Sequence, residues 1–341
     1  MNVINVKKRK RKNKKKKNEP RKETFKQKKK IRSMIKKRLK KESSQKERKI
    51  LIIINKKARK VNEQRIRPKI KAVFGKYPNI KLDIKKTPNE KKATKLTKKA
   101  IKKGYDTVVA VGGDGTINSV LNGVINKKIK LGIIPLGTGN ALSYETGLIK
   151  KIELACELIV NGKAKKVDTG NINGRYFLLM AGVGIDAWVL EETEKNPFFK
   201  QYLGKFPYLM TSLRAGLFYD QPKVKITVDD KYTTEGYQTV VSNIKYYSLI
   251  FSMTPYANMQ DGYLDVCVFK SKKFFNNVYI YIAESTRGTH PKRKDIFYHK
   301  AKKVKITCDI PVPVHADGEI LGNKKSITIR VVPKSVNLIL P

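Results

Sequence analysis

The sequence has little cysteine and little histidine, and each shortage excludes a class of protein. Its three cysteines, Cys156, Cys267 and Cys308, lie far apart among apolar residues, so we expect the reduced core thiols of a cytoplasmic protein rather than a disulfide framework. The three histidines and these cysteines show no zinc-binding spacing. No apolar run approaches the roughly 18 residues of a membrane-spanning helix, and the lysine-rich start lacks the apolar centre of a signal peptide.

Acidic residues are also scarce, and the chain is therefore strongly basic. It has 76 Lys and Arg against 28 Asp and Glu in 341 residues, a formal net charge of +48. Its first 49 residues hold 25 Lys and Arg against four Glu with few apolar residues, which predicts a disordered arm over residues 1–48. Such an arm attracts polyanions. An anionic membrane and non-specific RNA are both partners that this charge would suit, and charge alone does not choose between them.

The other parts of the chain are organised around Tyr105–Val124, which reads YDTVVAVGGDGTINSVLNGV. Thr107–Val111 predicts a buried strand. The glycines predict a tight turn, and Thr116 is a predicted cap of an amphipathic helix. A strand, a glycine turn and a helix N-terminus direct N–H groups at one point, which suits a phosphate. Asp114 adds a carboxylate there, which suits a divalent metal ion beside the phosphate, although a surface Asp on an ordinary turn is the alternative.

Residues 49–165 alternate apolar strands with helical patterns, which predicts an α/β domain with a parallel sheet covered on both faces. The run TPNE at 87–90 predicts a helix that Thr87 caps. Ligands bind such sheets beyond the carboxyl ends of the strands. We therefore expect Asn55, the GGDGT turn and the later PLGTGN turn to converge on one crevice.

Residues 166–341 have a different pattern, in which short apolar runs are joined by turn residues. This predicts a mostly antiparallel β domain, whose last strands could pack back on the first domain. The predicted strands are Tyr176–Ala181, Val224–Val228, Tyr237–Asn243, Leu249–Thr254, Leu264–Phe269, Val304–Cys308, Ile327–Val332 and Val336–Leu340. Helical patterns are expected near 198–217, which is rich in aromatic residues, and near 273–285.

Three motifs, in this order, resemble the diacylglycerol kinase catalytic family, a group of soluble lipid kinases related to the sphingosine and ceramide kinases. They are GGDGT at 112–116, PLGTGN at 135–140 and HADGE at 315–319, and the resemblance covers 49–341. It implies a Rossmann-like ATP-binding domain, a β-sandwich domain and an active site between them. It also implies ATP and Mg²⁺ as cofactors and a primary hydroxyl of diacylglycerol as the phosphate acceptor.

The resemblance further implies roles for individual residues. Glu319 would be the general base and Asp114 would be positioned for Mg²⁺. Asp317 would be a further catalytic carboxylate beside Glu319, so that one of the two faces the acceptor hydroxyl and the other the metal network. The implied nucleotide-binding residues are Asn55, Thr87, Gly112, Gly113, Asp114, Gly115, Thr116, Asn118, Gly137, Thr138 and Asn140. Without the resemblance, the pair Asp317-Gly318 reads as an ordinary hairpin turn with a solvated glutamate after it.

A structural Mg²⁺ site is implied at Asn258, Asp261 and Tyr263, where the family binds a hard cation through one carboxylate and main-chain carbonyls. From the residues alone, Asp261-Gly262 reads as a turn. The chain also departs from the family. Lys56 and Arg59 replace a proline and a glycine of the first phosphate loop.

A further departure concerns the acceptor. Many bacterial members of the family have an aspartate at the position of Ala141. The alanine found here resembles the Gly-Asn-Ala-Leu run of the sphingoid kinases. The acceptor therefore stays open between diacylglycerol and a sphingoid base, ceramide or another lipid alcohol.

Two further functions remain as alternatives. NAD kinases share GGDGT, but this chain has no Asn-Glu pair after that motif. A non-catalytic polyanion-binding module is the alternative outside enzymes, and the arm lacks the interspersed aromatic residues of a single-strand binder. For a lipid kinase we expect a cytoplasmic protein at the inner face of the membrane. The sequence leaves its oligomeric state open, with a homodimer among the alternatives.

Overall fold

The first half of the chain folds as alternating strands and helices because apolar runs are separated by amphipathic segments. The structure, a computed structural model, describes residues 33, 47–55, 62–136, 141–148, 151–195, 219–246, 251–273, 277 and 280–341. The strands here are β1 (Arg48–Asn55), β2 (Ile80–Thr87), β3 (Thr107–Gly112) and β4 (Lys130–Pro135). The helices are α1 (Glu63–Phe74), α2 (Glu90–Lys102), α3 (Asp114–Val124), α4 (Ala141–Thr146) and α5 (Ile152–Asn161).

These four strands form a parallel sheet in the order β2-β1-β3-β4. Every residue of β3 is buried, and so is β1 from Ile50 to Asn55. A strand that is covered on both faces has no solvent-facing side, so its sequence is apolar throughout instead of alternating. The sheet and its helices share one hydrophobic core, and the parallel sheet predicted for this half is confirmed.

The second half is dominated by antiparallel strands. Its elements are β5 (Lys163–Ile172), β6 (Arg175–Phe177), β7 (Met180–Gly184), α6 (Ile185–Lys195), β8 (Val224–Val228), β9 (Tyr232–Gly236), β10 (Gln238–Ser242), β11 (Leu264–Phe269), β12 (Ile296–Ala301), β13 (Lys303–Ala316) and β14 (Glu319–Leu340). A π-helical turn covers Ile280–Glu284 and a 3₁₀ turn covers His290–Lys292. The predicted antiparallel fold of this half is confirmed.

One long hairpin connects the two halves. Strand β13 pairs with β7 and β8, and its hairpin partner β14 continues along β5 to a parallel pairing with β4, where Asn337 lies opposite Lys130. The described strands therefore join into a single 14-stranded sheet. The turn of this hairpin, at residues 317–318, carries the last of the three motifs.

Both predicted helix caps were wrong by a few residues. Helix α2 begins at Glu90 and is capped by Asn89, whose side chain accepts the N–H of Lys92 at 3.0 Å. Thr87 instead ends β2, and its hydroxyl donates to the carbonyl of Asn89. Asparagine is a better cap than threonine, and here it lies closer to the first helical turn. Thr116 lies inside the first turn of α3, because that helix begins two residues earlier.

Several strand assignments also differed. The predicted strand Leu249–Thr254 is not a strand within its described part, 251–254, where Phe251 forms a single bridge. The predicted pair 327–332 and 336–340 is one strand, β14, with a bulge between Val332 and Val336. The predicted helix at 198–217 lies outside the described residues. Strands β5, β9 and β12 and helix α6 had no counterpart in the prediction. Within the part of the chain that is described, no helix has the length and apolarity to cross a membrane.

Candidate active site

The carboxyl ends of the four parallel strands bring the first group of predicted site residues together. Strand register places Asn55 opposite Thr87, and Gly112 opposite Pro135. The side-chain amide of Asn55 donates to Oγ1 of Thr116 at 3.2 Å. Because these residues end neighbouring strands, they form one edge of the sheet, where open α/β sheets bind their ligands.

The glycine turn allows α3 to start directly above β3. A Cβ atom on Gly112 would lie 2.6 Å from Oγ1 of Thr116, closer than non-bonded atoms approach. Gly113 is the cap residue of α3 and contributes no side-chain hydrogen bond to it. A helix N-terminus presents the N–H groups of its first turn and a positive dipole end, both of which favour an anion. The N-terminus of α3 can therefore bind a phosphate. Gly115 also lies in this first helical turn.

Asp114 and Asn118 share one face of α3, because residues four apart are neighbours on a helix. Asp114 is half-buried and Asn118 is buried. Three of the predicted nucleotide contacts, Gly137, Thr138 and Asn140, lie outside the described residues.

The DGE motif forms the tight turn of the β13–β14 hairpin. Asp317 and Gly318 have φ angles of +49° and +77°, the left-handed pair that a two-residue hairpin turn requires and that Asp-Gly supplies at low cost. The N–H of Asp317 donates to the carbonyl of Met180 at 2.8 Å. The turn is therefore fixed against the start of β7 and does not project into solvent.

Asp317 is buried and connects the two halves of the molecule. Its Oδ2 accepts the N–H of Leu178 and the side-chain amide of Asn118, both at 2.7 Å. Its Oδ1 accepts the N–H groups of Leu179 and Met180 at 2.8 and 3.0 Å. Burial raises the pKa of this carboxyl, and the four N–H donors act against that rise. Through these bonds, Asp317 holds Asn118 and residues 178–180 in place.

Glu319 is held beside α3 by an arginine. The Nη2 atom of Arg175 donates both to the carboxylate of Glu319 and to Oδ1 of Asn118, the latter at 3.2 Å. The side chains of Glu319 and Arg175 are 37% and 33% exposed, so solvent reaches this ion pair. Asn118 is thus linked to both acids of the motif. It donates directly to Asp317, and Arg175 connects it to Glu319. The structure places the predicted base next to the helix that carries Asp114.

Arg175 was missed in the sequence. It follows Asn173 and Gly174, whose φ angles are +47° and +90°, and this turn joins β5 to β6. An Asn-Gly pair between two short runs predicts a hairpin turn. That signal would have located the arginine at a strand start, although not beside Glu319.

The histidine of HADGE has a structural partner. Nε2 of His315 lies 2.7 Å from Oδ2 of Asp186 in the first turn of α6, and both side chains are almost completely buried. Gly182 lies opposite His315 in the sheet, and a Cβ there would collide with both side chains. This pair joins the hairpin to α6, and Gly182 leaves it the room it needs.

The implied structural metal site has a different environment from the one expected. Nζ of Lys300 contacts Oδ2 of Asp261 directly. With an ammonium group on its carboxylate, the set Asn258, Asp261 and Tyr263 does not fit a divalent cation as it stands.

Comparison with known proteins supports a single family. Residues 49–172 match the diacylglycerol kinase catalytic domain, and residues 180–340 match the YegS C-terminal NAD kinase beta sandwich-like domain. A diacylglycerol kinase of Staphylococcus carnosus is 30% identical over 67% of this chain and 75% of its own length. An uncharacterized protein of Synechocystis is 29% identical over 70% of this chain, and the match spans 55% of that relative's length.

A solved structure agrees with these matches. The crystal structure of a putative diacylglycerol kinase from Bacillus anthracis superposes with a TM-score of 0.70 at 28% identity, over 88% of this chain and 98% of that one. The similarity covers both halves of the fold and all three motifs. The chain belongs to the diacylglycerol kinase catalytic-domain family.

Proposed function

We propose that the protein is an ATP- and Mg²⁺-dependent lipid kinase that phosphorylates the primary hydroxyl of diacylglycerol and yields phosphatidic acid. Membership of the family supports a kinase. The observation that supports this chemistry most directly is the contact between Asp317 and Asn118, which brings the DGE turn of one half against α3 of the other. Through it, the turn that carries the candidate base lies against the helix whose N-terminus suits a phosphate.

The nucleotide binds at the carboxyl edge of the parallel sheet in this proposal. The N-terminus of α3 receives the phosphates, and Asn55, Thr87 and Thr116 border that site. Asp114 fits a Mg²⁺ ion, because Mg²⁺ commonly binds one or two carboxylates together with substrate phosphates. The bound ion would neutralise charge on the phosphates during transfer.

Glu319 receives the proton of the acceptor in this proposal. Arg175 occupies Oε2 of Glu319, which leaves Oε1 to accept the hydroxyl proton. The acceptor oxygen then forms a bond to the γ-phosphorus, the bond from that phosphorus to the β,γ-bridging oxygen breaks, and ADP leaves. Asp317 and Asn118 hold Glu319 in a fixed position relative to the phosphate site in this proposal. Such positioning supplies much of the catalysis of a phosphoryl transfer.

The acceptor sits in a membrane, so the enzyme has to work at its surface. We propose that the protein is cytoplasmic and binds the inner face peripherally, with the basic arm as the contact to anionic lipid. Each basic residue near an anionic surface contributes about 1 kcal/mol at most, and salt weakens the attraction. The full chain is expected to bind phosphatidylglycerol vesicles in a salt-sensitive manner. A chain without residues 1–46 that binds equally well would rule the arm out.

Ala141 supports a second acceptor class. It begins α4 directly after the PLGTGN motif and is buried, where many bacterial family members have a carboxylate. A sphingoid base, ceramide or another lipid alcohol is therefore the second candidate acceptor.

The role of Glu319 is tested with Glu319→Gln in full-length protein and diacylglycerol dispersed in anionic vesicles. We expect phosphoryl transfer to fall by at least about 100-fold, the lower range for general-base catalysis, while the affinity for ATP is unchanged. Asp114→Asn is the comparison variant, and it should shift the Mg²⁺ concentration that supports turnover. Undiminished turnover in Glu319→Gln would refute its role as the base.

A further inference from the structure

In the loop at residues 258–263, just before β11, the ammonium group of Lys300 contacts the carboxylate of Asp261. Oδ1 of Asp261 accepts the N–H of Tyr263 at 3.1 Å, and Nζ of Lys300 contacts Oδ2. Asn258 turns its own side-chain oxygen into the loop, where it accepts the N–H of Gln260 at 3.0 Å. The side-chain oxygens of Asn258 and Asp261 therefore each already accept an N–H group of the chain itself.

The pairing of two strands places Lys300 beside this loop. Strand β12 pairs with β11 so that Lys300 lies opposite Asp265, at the strand end next to the loop. From this position its ammonium group reaches the carboxylate of Asp261. On the other side, Oδ2 of the buried Asp168 accepts the N–H of Gly262 at 2.7 Å. The loop is thus held from both sides by groups of the chain itself.

A divalent ion at Asp261 would have to displace the ammonium group or lie in contact with it. Displacement leaves the partly exposed lysine without its carboxylate partner, and contact places like charges side by side. We propose that the Lys300 ammonium takes the place of the structural Mg²⁺ that the family resemblance implies, so that this loop is ordered without a metal. The consequence concerns stability, and it does not depend on the proposed lipid kinase activity.

The test measures the melting temperature of the full-length protein without nucleotide, in EDTA and then in excess Mg²⁺. Wild-type protein should melt at the same temperature in both. Lys300→Met removes the ammonium group and should melt roughly 2–4 °C lower in EDTA, the shift typical of losing one modest interaction in a domain this large. Mg²⁺ should then restore part of that loss, because the Asp261 carboxylate is again open to a cation.

Matched variants assign the effect to this loop. Lys294→Met makes the same charge change at an exposed lysine just before β12, and it should gain no response to Mg²⁺. The response of Lys300→Met should disappear when Asp261→Asn is added and persist when Asp114→Asn is added. If Mg²⁺ stabilises the wild-type protein and Asp261→Asn abolishes that, the loop binds metal and the proposal is wrong. The proposal also fails if Lys300→Met melts like the wild type in both conditions.

Discussion

Asp317→Asn separates the two acids of the DGE turn, because the structure gives them different tasks. Asparagine is among the few residues that accept a left-handed backbone, so it suits the φ of +49° at this position. The substitution therefore leaves the turn intact and changes the hydrogen bonds alone. Each carboxylate oxygen accepts two N–H groups, and an amide can present an oxygen at only one of the two places.

The expected cost follows from that count. Whichever oxygen becomes an NH₂ group, two buried N–H donors lose their acceptor, and each costs about 1–3 kcal/mol. Burial disfavours the charged carboxylate and raises its pKa. Replacing it with a neutral amide therefore offsets part of this loss. We therefore expect the free energy of unfolding to fall by about 2–4 kcal/mol at neutral pH.

Denaturant unfolding of Asp317→Asn and Glu319→Gln measures the difference. Glu319 takes part in a half-exposed ion pair, so Glu319→Gln should change the free energy of unfolding by about 1 kcal/mol or less while it removes transfer. Asp317→Asn should be clearly less stable and retain some transfer under native conditions. Equal midpoints for Asp317→Asn and the wild type would refute the view that Asp317 anchors the two halves.

Two further outcomes are expected from single positions. Gly112→Ala places a Cβ 2.6 Å from Oγ1 of Thr116, so the start of α3 has to shift. The KM for ATP should then rise several-fold, with little change in the KM for the acceptor. Unchanged kinetics would mean that the phosphates bind elsewhere. Burial raises the pKa of Asp265 to about 6, so the native state binds more protons than the unfolded chain between about pH 4 and 6. The free energy of unfolding should therefore fall by about 3 kcal/mol as pH rises through that window. Calorimetry of Asp265→Asn should show a flatter profile, and an unchanged slope would contradict the shift.

The parallel half of the fold could be predicted from the sequence because its signals are local. Strand β1 reads as a continuous apolar run, and β3 is followed at once by the glycine turn and an amphipathic helix. Strand β5 was missed because it reads KAKKVDTGNI, which is charged at its start. It is a strand through its pairing with β14, a partner that no local pattern reveals.

The candidate site was only partly predictable for the same reason. The motifs predicted which residues matter, and the turn chemistry of Asp317-Gly318 could be recognised directly. The contacts that give each acid its task join residues far apart in the chain, as Asn118 and Asp317 are separated by 199 residues and Arg175 and Glu319 by 144. Lys300 is likewise brought to Asp261 by strand register, so nothing near Asp261 in the sequence indicated that a lysine would occupy its carboxylate.

The most direct test of the proposed function is the transfer of label from γ-labelled ATP to a panel of dispersed acceptors. The panel contains diacylglycerol, monoacylglycerol, sphingosine, ceramide and phosphatidylglycerol, with NAD as a control. We predict label in diacylglycerol, lost in Glu319→Gln. Label in a sphingoid acceptor alone would keep the lipid kinase and correct the acceptor. Label in NAD alone, or in none of the acceptors, would contradict the proposed function.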